Sequence, residues 1–244
     1  YTQRPDLSMM GVLSGLEIAL WDIKGKALGQ PVYNLMGGRV HEKLRSYTYI
    51  YPDPKKGQDS SIFWNAEASA QRAADYAAMG FTGIKFDPAA PYSAFDPRQP
   101  SLESMELCVK FCKLIREAVG TKADLLFGTH GQFTTAGAIR FAKKIEPYDP
   151  LWFEEPTPPE KPEDMALVAR GTSIPIATGE RLTTKYEFGR VLECRAAAIN
   201  QSKKSLPLTA QIVRRQIILR QCRRKSQELR RAFQNQLYFF RKRQ

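Results

Sequence analysis

The chain has 244 residues, enough for one large domain or two small ones with a real core. Its formal net charge is +12, but residues 201–244 hold 13 of the 37 Lys and Arg and a single acid, Glu228, so the first 200 residues are balanced. The basic pI therefore gives no ground for reading the main domain as a nucleic-acid binder, no apolar run approaches the roughly 20 residues of a membrane span, and the four cysteines have neither zinc-site nor disulfide-scaffold spacing.

With no signal peptide ahead of the first helix, a cytoplasmic protein is expected. The chain begins at Tyr1 and not at methionine, so its natural N-terminus is expected to be missing.

Residues 14–28, SGLEIALWDIKGKAL, read as a helix. Ser14 and Glu17 have capping-box spacing, Leu16, Leu20, Ile23 and Ala27 make an apolar stripe, and Gly29 and Pro31 end it. From about residue 44 short β-rich runs alternate with helical ones. The predicted strands are 44–50, 81–87, 124–130, 151–155, 174–180 and 196–201; helices are predicted at 65–79, 101–119 and 135–146 among others. In the helix at 101–119, Cys108 and Cys112 lie one turn apart and are expected to be buried thiols.

Later strand starts recur at about the length of one strand plus one covering helix. Their continuous apolar character points to a parallel sheet covered on both faces. A (β/α) barrel is the leading architecture, and an open doubly wound sheet is the alternative.

The stretch PLWFEEPTPP, residues 150–159, sets Leu151, Trp152 and Phe153 against Glu154 and Glu155. A barrel explains the juxtaposition, because the stem of a strand is core while its carboxyl end faces the mouth. Lys85, Asp87, His130 and Glu180 fall at such ends as well. Two carboxylates brought to about 4 Å repel by roughly 4 kcal/mol at an effective dielectric near 20. A site gathering Glu154 and Glu180 therefore needs a cation, and Mg2+ suits oxygen ligands that leave room for water and substrate. The alternative is that these acids cap helices or make ion pairs. Glu155, on the opposite side of its strand, is expected to be structural.

GFTGIKFD, LLFGTHGQ, LWFEEPTPPE and SIPIATGERL resemble the barrel of the enolase superfamily, in its mandelate racemase and muconate lactonising enzyme group. Within that group the similarity is greatest to sugar-acid dehydratases of the galactonate and mannonate type, over about residues 8–201. The resemblance implies a partial TIM-type barrel with about six of eight strands. It implies Mg2+ as cofactor, and Glu154 and Glu180 as its ligands in the second and third ligand positions. His130 would protonate the departing hydroxyl, and Lys85 would be the first lysine of a K-x-K strand whose second lysine is replaced by Asp87. Without that second lysine, dehydration by a hydro-lyase is favoured over racemisation.

The substrate implied is a small-molecule aldonate or aldarate, and a homo-oligomer is compatible with the resemblance. One position departs from it. Gly128 stands where the family's first metal ligand, an aspartate, is found.

The expected organisation is a capping-domain remnant with a run-in helix at 1–43, a partial barrel at 44–201 and a basic tail at 202–244 unlike the family. The tail has three readings. It is a basic amphipathic helix carrying Leu229, Phe233, Leu237 and Phe240, an arm for nucleic acid, or a sequence not selected for this fold, such as the product of a shifted reading frame. The alternative to a dehydratase is accordingly a catalytically inactive fragment whose tail binds nucleic acid or anionic surfaces.

Overall fold

The computed structural model describes residues 6–88 and 100–201. The tail at 202–244 lies outside the described residues, so its three readings stand as expectations. The chain divides into two compact units, with the change falling between Gly38 and Arg39.

The first unit contains α1 (Leu7–Ala27) and α2 (Val32–Leu35). The first helix starts a full two turns before the expected cap at Ser14. Asp6 is the N-cap instead, its side chain accepting from the Met9 amide at 2.8 Å. The Asp6 cap and the helix-forming Leu7, Met9, Met10 and Leu13 carry the helix through Gly11 and Gly15, so the earlier start wins. The predicted stripe residues Leu16, Leu20 and Ile23 are exposed.

The second unit alternates strand and helix: β1 (Thr48–Tyr49), α3 (Ala66–Ala78), β2 (Gly83–Phe86), α4 (Leu102–Val119), β3 (Asp124–Phe127), α5 (Thr135–Ile145), β4 (Trp152–Glu154), α6 (Pro162–Gly171), β5 (Ile176–Thr178), α7 (Lys185–Cys194) and β6 (Ile199–Asn200). Each helix start has a local cause. Asn65, Ser101, Thr134 and Thr184 are side-chain N-caps of α3, α4, α5 and α7, and Thr184 with Glu187 completes a capping box. Pro162 opens α6, where a missing amide hydrogen costs nothing.

All five strand pairs are parallel and the spatial order is β1-β2-β3-β4-β5-β6. An order that never reverses belongs to a singly wound, barrel-type sheet; the doubly wound alternative requires a reversal. Among the described residues β1 and β6 are the two edges.

Strand alternation separates two cores. Phe86, Phe127 and Phe153 turn to the helix layer, where Phe127 meets Phe141 of α5 at 5.2 Å between ring centroids and Phe153 at 5.7 Å. Their neighbours on the other face, Leu126, Trp152 and Ala177, pack together with Leu151 and Ile199. Cys108 and Cys112 are buried on α4, and burial pushes both thiols well up from their ordinary range. No described helix is long and apolar enough to cross a membrane.

Candidate active site

Because every strand pair is parallel, the carboxyl ends of β1–β6 share one edge of the sheet. Each residue singled out from the sequence lies on that edge. Lys85 is in β2 and Asp87 directly follows it; His130 is in the turn after β3; Glu154 ends β4; Glu180 follows β5 by two residues.

The structure joins two of these residues into a tight pair. Lys85 Nζ lies 2.8 Å from Glu154 Oε1 and 2.7 Å from Oε2. The lysine side chain is 12% exposed and the glutamate 1%. Register explains the meeting: Lys85 pairs with Leu126, and Leu126 with Trp152, so all three share a face, and Glu154 two residues on returns to it. Good hydrogen-bond geometry is reached only toward Oε1. Among the described residues the buried Oε2 has the lysine charge beside it but accepts no hydrogen bond.

Asp87 and His130 form the second pair, with Asp87 Oδ2 3.0 Å from His130 Nδ1. The ring Nδ1–H donates to the carboxylate. That hydrogen bond is the main cause that raises the His130 pKa from its ordinary value. Burial opposes it, the charges of Asp87 and Glu180 add to it, and Lys85 subtracts. The His130 backbone amide donates to Gln132 Oε1 at 2.6 Å, which fixes the turn. Glu180 is half-buried, and its charge bears on both His130 and Glu155.

Glu155 belongs to the frame. It is fully buried, with its backbone in the left-handed region at φ 41°. Its Oε2 accepts from Arg181 Nε at 2.7 Å and its Oε1 from the Thr178 hydroxyl at 3.1 Å. The Thr129 hydroxyl in turn donates to the Glu154 carbonyl at 2.5 Å, and the Gly131 amide to the Glu155 carbonyl at 2.7 Å. The strand ends that carry His130, Glu154 and Glu180 are thus laced together from behind. Even so, burial outweighs Arg181 and raises the Glu155 pKa.

Sequence reading overlooked Tyr49. It ends β1 in register with Lys85. Burial first, then the charges of Asp87, Tyr51 and Glu154, push its phenol up. The alternation of Tyr47 and Tyr49 in RSYTYI was the available signal, since it puts both rings on one face, and Tyr47 does meet Trp152 edge-on at 5.4 Å.

Among the described residues, a six-stranded parallel sheet wound in one direction, with acids, a lysine and a histidine on its carboxyl edge, is the architecture of a partial (β/α)-barrel. Residues 68–205 match the enolase C-terminal domain-like family, and residues 2–37 match the N-terminal domain of mandelate racemase and muconate lactonizing enzyme. The chain belongs to this family within the enolase superfamily.

It is 35% identical over 184 residues to a D-galactonate dehydratase of Xanthomonas oryzae pv. oryzae, a match covering 75% of this chain and 44% of that protein. Among solved structures, a mandelate racemase/muconate lactonizing enzyme from a Sulfitobacter species is 58% identical. It superposes with a TM-score of 0.78 over 82% of this chain and 50% of its own. A mandelate racemase/muconate lactonizing enzyme-like protein from Roseovarius sp. TM1035 is 55% identical with a TM-score of 0.79, over 83% and 52% respectively. The chain spans about half the length of the relatives it matches.

Proposed function

We propose that this chain carries the working edge of a sugar-acid dehydratase, acting on an aldonate or aldarate of the galactonate kind. The observation that supports it best is the pairing of Lys85 with Glu154 and of Asp87 with His130 on one sheet edge, in a chain 35% identical to D-galactonate dehydratases. In this reaction the C2–H bond breaks and its proton goes to a base. The C3 hydroxyl leaves with a proton from an acid, as water, and the enol left behind becomes a 2-keto-3-deoxy acid.

His130 is suited to be the acid. Asp87 holds its Nδ1–H, which orients the ring and favours the proton-bearing form. Lys85 takes the C2 proton only after it has left Glu154 and given one of its own protons to solvent, because an ammonium has no lone pair to offer; as the ammonium it orients the substrate instead. Thr129, Gln132 and the Glu155–Arg181 pair hold these groups in place.

Glu154 and Glu180 are the residues that would hold Mg2+. The ion often uses one or two carboxylates and fills its remaining positions with water and substrate oxygens. Glu154 Oε2, buried and accepting no hydrogen bond among the described residues, fits such a role once the Lys85 ammonium, 2.7 Å away, has moved off. Among the described residues no three His, Cys, Asp or Glu side chains gather to hold a metal by themselves, and Gly128 adds no ligand. When bound, Mg2+ supplies stabilisation of negative charge on the substrate carboxylate.

The test is a dehydration assay of the purified chain across aldonic and aldaric acids with Mg2+, reading 2-keto-3-deoxy acid formation as its semicarbazone. Turnover of at least one acid, lost in Glu154→Gln, is the expected result. The absence of product from every acid by folded protein would defeat the reading.

A second reading, a barrel fragment without turnover, is favoured by a different observation: among the described residues no three His, Cys, Asp or Glu side chains gather to hold a metal, and Gly128 offers no side chain. It predicts no product in that assay, and salt-sensitive retention on heparin that disappears when residues 202–244 are deleted.

A further inference from the structure

A Cβ placed on Gly128 would lie 2.9 Å from Lys85 Cε, 3.4 Å from the Phe86 carbonyl oxygen and 3.7 Å from Asp87 Cβ. The space that a side chain at position 128 would take is therefore filled by the stem of Lys85. From that place the ammonium reaches both oxygens of Glu154, in a setting where the pair is almost wholly out of water. An ion bonded to Glu154 at about 2.1 Å would have to stand against the ammonium, and two cations repel strongly where water does not screen them.

We infer that Lys85 and a divalent cation exclude one another at Glu154, and that Gly128 is what admits the lysine. The residue at position 128 then does more than leave a ligand out. It sets which cation the buried glutamate holds, an internal ammonium or a metal ion from solution, and so sets the metal concentration at which the site loads. The inference rests on reading Glu154 as a metal ligand and is independent of which acid, if any, is dehydrated.

Mn2+ titration of the whole chain, followed by the electron paramagnetic resonance signal of the free ion, tests it without any turnover. Near-UV circular dichroism reports that each variant is folded. If the lysine vacates Glu154 in no more than about a tenth of the molecules, removing it tightens binding about tenfold or more. Lys85→Met is expected to bind Mn2+ by at least that margin more tightly than the unaltered chain, and Lys85→Met with Glu154→Gln is expected to lose the gain. Equal or weaker binding by Lys85→Met overturns the inference, and so does a gain that survives Glu154→Gln.

Lys85→Met leaves a buried carboxylate without its partner. Should it fail to fold, Gly128→Ala decides the matter, because its Cβ meets chiefly the far end of a flexible side chain. That variant is expected to tighten Mn2+ binding by displacing the lysine; unchanged binding overturns the inference. A chain that passes this test yet dehydrates no sugar acid refutes the dehydratase reading alone.

Discussion

Asp87 Oδ2 lies 3.0 Å from His130 Nδ1, so the residue following β2 is fastened to the turn following β3. The carboxylate is 7% exposed and the imidazole 48%, which makes the acid the fixed member and the ring the one within reach of a substrate. The coupling has consequences for protonation, for stability and for turnover.

Asp87→Asn is expected to lower the His130 pKa, because the hydrogen bond to Asp87 is the main cause that raises it. The chain has two histidines, His41 and His130, so their ring Cε1–H resonances in a pH titration can be assigned from a single His41→Gln variant. A folded pKa above the unfolded one, about 6.5, gives stability that is fully present below that pH. It is lost as pH rises through the folded value. The stability gap between the chain and Asp87→Asn should therefore be widest at mildly acidic pH and shrink above neutrality. Identical titration curves for the two proteins would refute the coupling.

Arg181→Ala is expected to cost about 3 kcal/mol, the loss typical of leaving a buried charge without its partner. Glu155 is 0% exposed while Arg181 retains 25%, so the uncompensated group is the glutamate. Adding Glu155→Gln to Arg181→Ala should recover part of the loss, since the neutral amide carries a smaller desolvation cost. Urea denaturation of the two variants checks this. A cost for Arg181→Ala below about 0.5 kcal/mol would place the pair among surface ion pairs of little weight.

The repeat of strand and helix was legible because its cause is local. Apolar runs such as LLF and LWF must be buried, and Asn65, Ser101 and Thr134 mark where helices begin. Strand ends were read too long. The run 124–130 pairs only as Asp124–Phe127, because beyond Phe127 the chain turns and the Thr129 hydroxyl bonds to the carbonyls of Glu154 and Glu155. A bond across 25 residues leaves no local pattern. For the same reason the positions of Lys85 and Glu154 on the sheet edge could be read, while their mutual pairing could not. They are 69 residues apart, and only the register of β2, β3 and β4 brings them together.

Gly179→Ala should separate β5 from β6. Gly179 has φ 135°, a conformation that L side chains rarely adopt, and a Cβ there would collide with the backbone oxygen of Gln201. Strain and collision together are expected to cost about 3 kcal/mol or more. Hydrogen exchange should report faster loss at the amides of Ala198 and Gln201, which donate to Ile176 and Thr178. Gly189→Ala is the matched control. It lies in α7 with open space around its Cβ and should stabilise by about 0.5–1 kcal/mol. Unchanged exchange in Gly179→Ala would mean that β6 does not depend on this approach.

If His130 protonates the leaving hydroxyl, turnover must fall on the basic side of its pKa, where the proton it gives has been lost to solvent. The kcat profile of the active chain should therefore carry a basic limb. Asp87→Asn should move that limb to lower pH, in step with the shift seen by NMR, because the same hydrogen bond sets both. His130→Asn keeps a side chain of similar reach but cannot serve as an acid near neutrality. It is expected to lower kcat by about a hundredfold or more with a smaller change in KM, since the missing proton matters at the transition state and less on binding. A merely structural histidine would lower the folded fraction without moving the limb. A basic limb that stays in place in Asp87→Asn, with the NMR titration displaced, would assign the departing proton to another group on the same edge.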